Sequence, residues 1–219
     1  MGSALKPPKA VFFDWDGTLA DSFVFLRGAH SHVRNAIGLP DLTQEQFNGY
    51  FGMPRELLYR EIYGDEGERA KELFEAYVME NHTQLEPMPG AGELLTAIAA
   101  RNIPMGAVSN KKGDFIREEI KHFGWQEHFV SIIGAGDAEN DKPAADPLLL
   151  AIERGRVKFG LSDIWYVGDT ETDLKCAQET GCPCVFLQHK DKDASLIETY
   201  KPALVVRNCH ELRGFFVAN

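Results

Sequence analysis

Three clusters of polar side chains stand directly after short apolar runs of the sequence, where carboxylates, a hydroxyl and an amide are well placed to do chemistry. The clusters are 14–18, 109–111 and 168–173. If the apolar runs are parallel strands of an open sheet, all three clusters leave the carboxyl ends of strands, the edge at which such sheets bind ligands. Residues far apart in the sequence are therefore expected to converge on one site.

The Asp14 and Asp16 carboxylates are two residues apart on an extended segment, so both point to one side while Trp15 points to the other. Gly17 then permits a tight departure of the chain. Two such charges about 4 Å apart repel by roughly 4 kcal/mol at an effective dielectric near 20, and Asp169 should join them. A bound Mg²⁺ would remove the conflict, because this ion prefers hard oxygen ligands and can also hold a substrate phosphate.

The remaining polar groups suit a phosphate. Ser109 and Asn110 stand where a strand turns into a helix, and their hydroxyl and amide, with the helix N–H groups, match phosphate oxygens. Lys142 precedes another helix, where its ammonium would clamp the phosphate and hold Asp14 ionised. Each feature alone has an ordinary explanation as a turn, a cap or a solvated lysine. Their order along the strand ends favours the joint interpretation as a phosphate site.

The elements that must position these groups alternate between short apolar runs and helical patterns. The runs lie at 10–13, 105–108, 130–133, 164–167, 184–187 and 204–206. Continuously apolar runs of this length are typical of parallel strands covered on both faces. The alternation predicts an α/β fold, a Rossmann-like open parallel sheet with helices on both faces.

One interval breaks the alternation, because the first run and Pro89 are separated by far more residues than a single crossover needs. Apolar residues recur there at helical spacing, and Gly38, Gly52 and Gly64 divide the segment. We therefore predict a catalytic core formed by 1–19 and 89–219, with an inserted helical cap domain at 20–88.

Composition narrows the classes of partner. The 219 residues include 23 basic and 33 acidic side chains, a net charge of −10, and no basic run with interleaved aromatic residues, so nucleic acid is not expected. No apolar run approaches the roughly 18 residues that span a bilayer, so no membrane is expected either. The four cysteines fit no zinc or CxxC pattern, and free thiols indicate a cytoplasmic protein.

These motifs resemble those of the haloacid dehalogenase-like hydrolase superfamily over essentially the whole chain. The matching residues are 14–19, Ser109 with Asn110, Lys142, and Gly168-Asp169 with Asp173. The resemblance implies a Rossmann-like core with a small helical cap and a Mg²⁺-dependent phosphatase for a small-molecule phosphate ester. The oligomeric state, monomer or homodimer, stays open.

The resemblance also implies roles for the matched residues. Asp14 would attack phosphorus and become an aspartyl phosphate, and Asp16 would protonate the leaving oxygen and then activate water. Asp14, the backbone carbonyl of Asp16, and Asp169 would ligate Mg²⁺. Asp173 would support Lys142 or water near the metal. The residues implied to bind the substrate or its phosphoryl group are Thr18, Ser109, Asn110, Lys111 and Lys142.

Within the superfamily, the chain looks most like the phosphoglycolate phosphatase branch. The likeness lies in Ser109-Asn110-Lys111, in 142–147 and in the cap phrase 52–56. Trp15 stands where Leu or Met is more usual, and the cap phrase is shorter than that branch would have. Arg55 of this phrase is interpreted as a contact for a distal acidic group of the substrate or, equally, as an exposed helix residue.

The sequence disfavours three other functions and leaves a fourth open. Asp16 favours phosphorus chemistry over dehalogenation, because a halide leaves carbon without protonation. A phosphonatase would need a cap lysine for a Schiff base, and the single lysine of 20–88, Lys71, lies in a charged run typical of solvated residues. A phosphomutase shares the same four motifs and stays open. A non-catalytic regulator is disfavoured, because such proteins lose the carboxylates and the lysine that this chain keeps.

Overall fold

The computed structural model describes residues 5–50, 55–189 and 194–217. Contacts within the chain define two compact units. Met1–Asp21 and Glu86–Asn219 form one, called here the core unit, and Ser22–Leu85 form the other, called here the helical unit.

The core unit is built on a parallel sheet. The strands in chain order are β1 (Ala10–Phe13), β2 (Ala20–Asp21), β3 (Glu86–Pro87), β4 (Met105–Lys112), β5 (Phe129–Ala135), β6 (Ile164–Gly168), β7 (Cys184–Leu187) and β8 (Leu204–Val206). Among the described residues, six of them form one sheet in the order β5-β4-β1-β6-β7-β8, with all neighbours parallel. Since β1 lies between β4 and β6, the ends of these three strands, and with them the three polar clusters, stand side by side.

The helices of the described chain follow the sequence periodicity. In chain order they are α1 (Ser22–Ala36), α2 (Gln44–Tyr50), α3 (Arg55–Tyr63), α4 (Gly67–Asn81), α5 (Ala91–Ala99), α6 (Gly113–His122), α7 (Asp146–Arg154), α8 (Glu171–Thr180), α9 (Ala194–Tyr200) and α10 (Cys209–Arg213). The first four belong to the helical unit and the others to the core unit. None of the described helices is long and apolar enough to cross a membrane.

Strand β1 is continuously apolar because side chains cover both faces of the sheet at its centre. All four of its residues are fully buried. On one face Phe12 shares an apolar cluster with Leu148 of α7 and Leu174 of α8. On the other face the ring of Trp165 in β6 lies 5.9 Å from that of Phe216. This arrangement confirms the predicted open parallel α/β sheet.

A two-stranded ribbon lies where the chain leaves and re-enters the core unit. Strand β2 pairs antiparallel with β3, joining Ala20 to Pro87 and Asp21 to Glu86. Residues 20–21 and 86–87 therefore belong to the core unit, whereas the sequence-based boundaries of 20 and 88 place them in the insertion. The difference arises because a two-residue strand carries no periodicity of its own.

The helical unit has its own apolar core, formed by Val33, Ile62, Ala70 and neighbouring tyrosines. His30 Nδ1 lies 2.7 Å from the Tyr63 hydroxyl within it. Burial, helped by the nearby Arg34 charge, lowers the pKa of His30 to about 4, so this histidine is neutral at pH 7.

The cap phrase 52–56 falls largely outside the described residues. Residues 51–54 are not described, and neither are the side chains of 55–57. The predicted contact between Arg55 and the substrate therefore lies outside the described residues.

Candidate functional site

The chain leaves β1 through a tight turn that keeps Asp14 buried at the sheet edge. The Asp14 N–H donates to the Val167 carbonyl at 2.8 Å, and the Leu19 N–H donates to the Trp15 carbonyl at 2.9 Å. Gly17 has a φ of +81°, and a Cβ there would lie 2.5 Å from Asp169 Oδ2. Glycine is thus required both by the turn and by the close approach of the Asp169 carboxylate.

Lys142 lies between two buried carboxylates. Its Nζ donates to Asp14 Oδ1 at 2.5 Å and to Asp173 Oδ1 at 2.8 Å, and its side chain is 4% exposed. Burial alone would lower the pKa of Lys142, but the Asp14 and Asp173 charges outweigh it and hold this pKa above its ordinary value. The ammonium therefore stays charged beside Asp14.

Asn110 fixes the backbone that carries this ammonium. Its Nδ2 donates to the Lys142 carbonyl at 2.7 Å, and the Lys142 N–H donates to its Oδ1 at 2.9 Å. Both ends of the amide are therefore engaged with one residue of the neighbouring loop. The sequence-based assignment of Asn110 to the phosphoryl group stays a prediction beside this structural contact.

Asp173 joins the site to the start of α8. Its Oδ2 accepts hydrogen bonds from the Thr170 hydroxyl at 2.6 Å and the Thr170 N–H at 3.1 Å. The bond from the Thr170 N–H, together with the Asp173 N–H donating to the Thr170 side chain, forms a capping box. Its Oδ1 accepts from Lys142 and from the Tyr166 hydroxyl at 3.0 Å. Burial would raise the pKa of Asp173, but Lys142 and the two hydrogen bonds from Thr170 lower it below its ordinary value.

Three carboxylates converge closely enough to hold one cation. Oxygen atoms of Asp14, Asp169 and Asp173 lie within 4.8 Å of one another. Burial and the Asp173 charge raise the pKa of Asp14 to about 7, and burial with the Asp14 charge raises the pKa of Asp169 well above its ordinary value. A hard cation relieves this repulsion, and an all-oxygen donor set fits Mg²⁺.

Asp16 points into a different cluster. Lys111 Nζ donates to Asp16 Oδ1 at 2.7 Å and to Glu119 Oε2 at 2.8 Å, and the indole N–H of Trp15 donates to Glu119 Oε2 at 2.6 Å. Lys111, predicted to bind substrate, is thus paired with Asp16. Sequence reasoning missed Glu119, although its helical spacing from Ile116 marks it as a residue of the buried face.

The other predicted residues lie at the same edge. The Thr18 hydroxyl donates to Asp169 Oδ1 at 3.3 Å, and buried Ser109 accepts from the Lys111 N–H at 3.0 Å. His189, which sequence reasoning missed, donates from Nε2 to the Gly17 carbonyl at 2.7 Å. The available signal was its position just beyond the apolar run 184–187, at the carboxyl end of another strand.

Comparison with known proteins agrees with this geometry. The family model of haloacid dehalogenase-like hydrolases matches residues 11–187, so the chain belongs to this family. The chain is 28% identical over 219 aligned residues to the phosphoglycolate phosphatase of Photorhabdus laumondii, covering 95% of this chain and 92% of that protein.

Solved structures show the same fold. A haloacid dehalogenase-superfamily hydrolase from Ehrlichia chaffeensis is 26% identical with a TM-score of 0.66, covering 96% of this chain and 97% of the other. A Thermotoga maritima protein assigned as a beta-phosphoglucomutase is 20% identical with a TM-score of 0.78, covering 94% and 96%. The second likeness shows the fold alone.

Proposed function

We propose that this protein is a Mg²⁺-dependent phosphatase that hydrolyses a small phosphate monoester through an aspartyl phosphate on Asp14. The observation that carries the proposal is the buried Asp14 carboxylate, 2.5 Å from the Lys142 ammonium and clustered with Asp169 and Asp173. The similarity to a phosphoglycolate phosphatase supports a small, acidic ester of this type as the substrate.

Two residues of the β1 turn supply the bond-making chemistry. The Asp14 carboxylate attacks phosphorus, the ester P–O bond breaks, and Asp16 gives its proton to the leaving oxygen. Asp16 then takes a proton from water as that water attacks the phosphorus of the aspartyl phosphate. Inorganic phosphate leaves and the Asp14 carboxylate is restored.

The surrounding residues prepare Asp14 for this attack. The Lys142 ammonium favours the charged carboxylate and so opposes burial and the Asp173 charge, which raise the pKa of Asp14. Thr18, Ser109 and Asn110 line the same strand ends and would bind the phosphoryl oxygens. When bound, Mg²⁺ would be held by Asp14, Asp169 and the Asp16 carbonyl, and would neutralise charge on the phosphoryl group.

Phosphate release from a panel of esters tests the proposal. The panel contains 2-phosphoglycolate, glycerol 1-phosphate, glucose 6-phosphate, glucose 1-phosphate and p-nitrophenyl phosphate. A phosphatase frees inorganic phosphate, whereas a mutase converts one sugar phosphate into its isomer. Isomer formation without free phosphate, or no turnover of any ester, would contradict the proposed function.

Removing the divalent cation should abolish most of this activity. We expect EDTA to lower the rate of phosphate release at least about a hundredfold, because several kcal/mol of charge stabilisation is lost, and added MgCl₂ to restore it. Replacing Asp169 with Asn should raise the Mg²⁺ concentration needed for half-maximal rate. An unchanged rate in EDTA would contradict a metal-dependent reaction.

Replacing Gly17 with Ala tests the close approach at the β1 turn. Gly181 is a matched control, since it shares the positive φ, +82° against +81°, but has nothing within 4 Å of an added Cβ. Both substitutions should lower the free energy of unfolding by about 1 kcal/mol through backbone strain. Only Gly17→Ala should also lower kcat, because its methyl displaces Asp169; equal kcat in the two variants would contradict this.

The protein is proposed to act in the cytoplasm. Four buried free cysteines, Cys176, Cys182, Cys184 and Cys209, support a reducing cytoplasm. Burial raises the pKa of Cys176 to about 12, so its thiol stays protonated and unreactive. The protein would act on its small substrate there as a monomer or homodimer.

A further inference from the structure

Four side chains beside the β1 turn form a closed hydrogen-bonded circuit. The Trp15 indole N–H donates to Glu119, Lys111 Nζ donates to both Glu119 oxygens, and Lys111 Nζ also donates to Asp16. The peptide bond between Trp15 and Asp16 supplies the last link and closes the circuit. We infer that Glu119 is a positioning residue that, through Lys111, fixes the direction of the Asp16 carboxylate. The inference rests on the proposed function, in which Asp16 moves the leaving-group proton.

The burial of Glu119 needs an explanation. Its side chain has no exposed surface and lies on the face of α6 that also carries Ile116 and Ile120. An apolar side chain would pack there without the desolvation cost of a carboxylate. Burial raises the pKa of Glu119, against the opposing effect of the Lys111 charge. Lys111 Nζ donates to both Glu119 oxygens and the Trp15 indole donates to one of them, as befits an ionised carboxylate, so these contacts are kept at the cost of burying it.

Lys111 transmits this constraint. Its Nζ lies 2.7 Å from Asp16 Oδ1 and 3.0 and 2.8 Å from the two Glu119 oxygens, so three short contacts match the three protons of an ammonium. A lysine side chain is otherwise flexible, and Glu119 removes that freedom. Asp16 is the more exposed partner, at 31% against 18% for Lys111, and its carboxylate is held from the buried side.

The Trp15 ring anchors the other half of the circuit. It is fully buried, 5.6 Å from the Phe123 ring and 6.1 Å from the Trp125 ring, so the backbone beside Asp16 cannot shift without disturbing this packing. A misplacement of about 1 Å in a reacting group costs on the order of 10²-fold in rate. Because the circuit anchors both the backbone and the carboxylate of Asp16, its loss should slow the proton transfer, and so lower kcat, without weakening substrate binding.

Two conservative variants test the circuit. Glu119→Gln removes the charge and Trp15→Phe removes the indole N–H. Their matched controls are Glu118→Gln, on the exposed side of α6, and Trp165→Phe, a buried tryptophan that packs against Phe216. We expect kcat for the best aliphatic ester of the panel to fall roughly 10- to 100-fold in each test variant, with KM changed less than about threefold. The fall should be smaller for p-nitrophenyl phosphate, whose leaving group needs no proton. Equal losses for both esters, or losses matched by the controls, would overturn the inference.

A double-mutant cycle with Asp16→Asn separates positioning from general structural damage. If Glu119 acts through Asp16, adding Glu119→Gln to Asp16→Asn should lower kcat no further for the aliphatic ester, whereas independent effects would multiply and would overturn the inference. Thermal unfolding of each variant checks the fold, and Trp15→Phe carries the test if Glu119→Gln does not fold. A wild-type protein that hydrolyses neither ester would instead remove the proposed function, and this inference with it.

Discussion

Asp14→Asn should lower the rate of phosphate release by a factor of about 10⁴ or more, as expected when a covalent nucleophile is removed. The amide of Asn is almost isosteric with the carboxylate and can still accept a hydrogen bond from Lys142, but it cannot attack phosphorus. The initial rate of phosphate release at saturating MgCl₂ and substrate measures the effect. A residual rate within about tenfold of wild type would contradict the assignment of Asp14 as the nucleophile.

A matched control and a direct assay for the intermediate sharpen this test. Asp163→Asn makes the same chemical change just before β6, at the opposite end of the strands, where Asp163 pairs with Lys9 at 2.7 Å. Its kcat should equal that of wild type. Wild-type protein quenched in acid during turnover of a ³²P-labelled ester should carry label that hydroxylamine removes, and Asp14→Asn should carry none.

The centre of the sheet was predictable because its strands are buried on both faces. The apolar runs 10–13 and 184–187 coincide with β1 and β7, since a strand without a solvent face has no polar residue to blur its limits. The run 204–206 coincides with β8, an edge strand that is only partly buried. The strand after 105 runs on to Lys112, past the last apolar residue. This extension contains Ser109, Asn110 and Lys111. These side chains are polar because they belong to the candidate site, so a search for apolar runs ends the strand too early.

The convergence of the charged residues was predictable only in part. Strand ends placed Asp14, Asp169 and Asp173 at one edge, and the structure brings them together. Lys142 stands 128 residues beyond Asp14, on a loop, and only its place ahead of a helix and the motif resemblance pointed to it. The contact between Lys142 and Asp14 depends on the position of the loop, which Asn110 fixes through the Lys142 backbone. No local periodicity of the sequence predicts a contact between distant segments of this kind.

The partners of Asp16 were not predictable from the pattern. The alternation predicted that Asp14 and Asp16 share one side while Trp15 points to the other. In the structure, Trp15 and Asp16 are joined through Glu119 and Lys111, and Asp14 contacts Lys142. A glutamate in the run Arg117–Lys121 is normally solvated, so its charge argued against burial. The helical spacing of Glu119 from Ile116 places it on the buried face, but only the packing of α6 sets its contacts with Trp15 and Lys111.

Lys142→Met should strongly destabilise the core unit, because it leaves two buried carboxylates without their cation. We expect the free energy of unfolding, measured in EDTA at pH 7.5, to fall by about 3–5 kcal/mol. Phosphate release should fall roughly 10³-fold, since a preorganised charge beside the reacting group is lost. Lys158→Met, at an exposed position, should stay within about 0.5 kcal/mol of wild type.

The pH dependence of Lys142→Met has a definite sign. Without the ammonium, the pKa values of Asp14 and Asp173 should both stand above their unfolded values, so the penalty is full at high pH. It is relieved as the pH falls through these raised values toward the unfolded ones, because the folded state then binds the extra protons. Denaturant unfolding at pH 7.5 and pH 5 should thus show a smaller difference from wild type at the lower pH. A simple surface ion pair, whose carboxylate titrates near its ordinary value of about 4, would give nearly the same difference at both pH values.

A second substitution identifies the cause of the damage. Adding Asp173→Asn to Lys142→Met removes one of the two stranded charges, so the double variant should be more stable than Lys142→Met while Asp173→Asn alone is less stable than wild type. Activity should not return, because Asp14 still lacks its cation. If the losses of stability of the two single variants simply add in the double variant, Lys142 and Asp173 act independently. That result would contradict the pairing of the Lys142 ammonium with the buried Asp173 carboxylate as the cause of the damage.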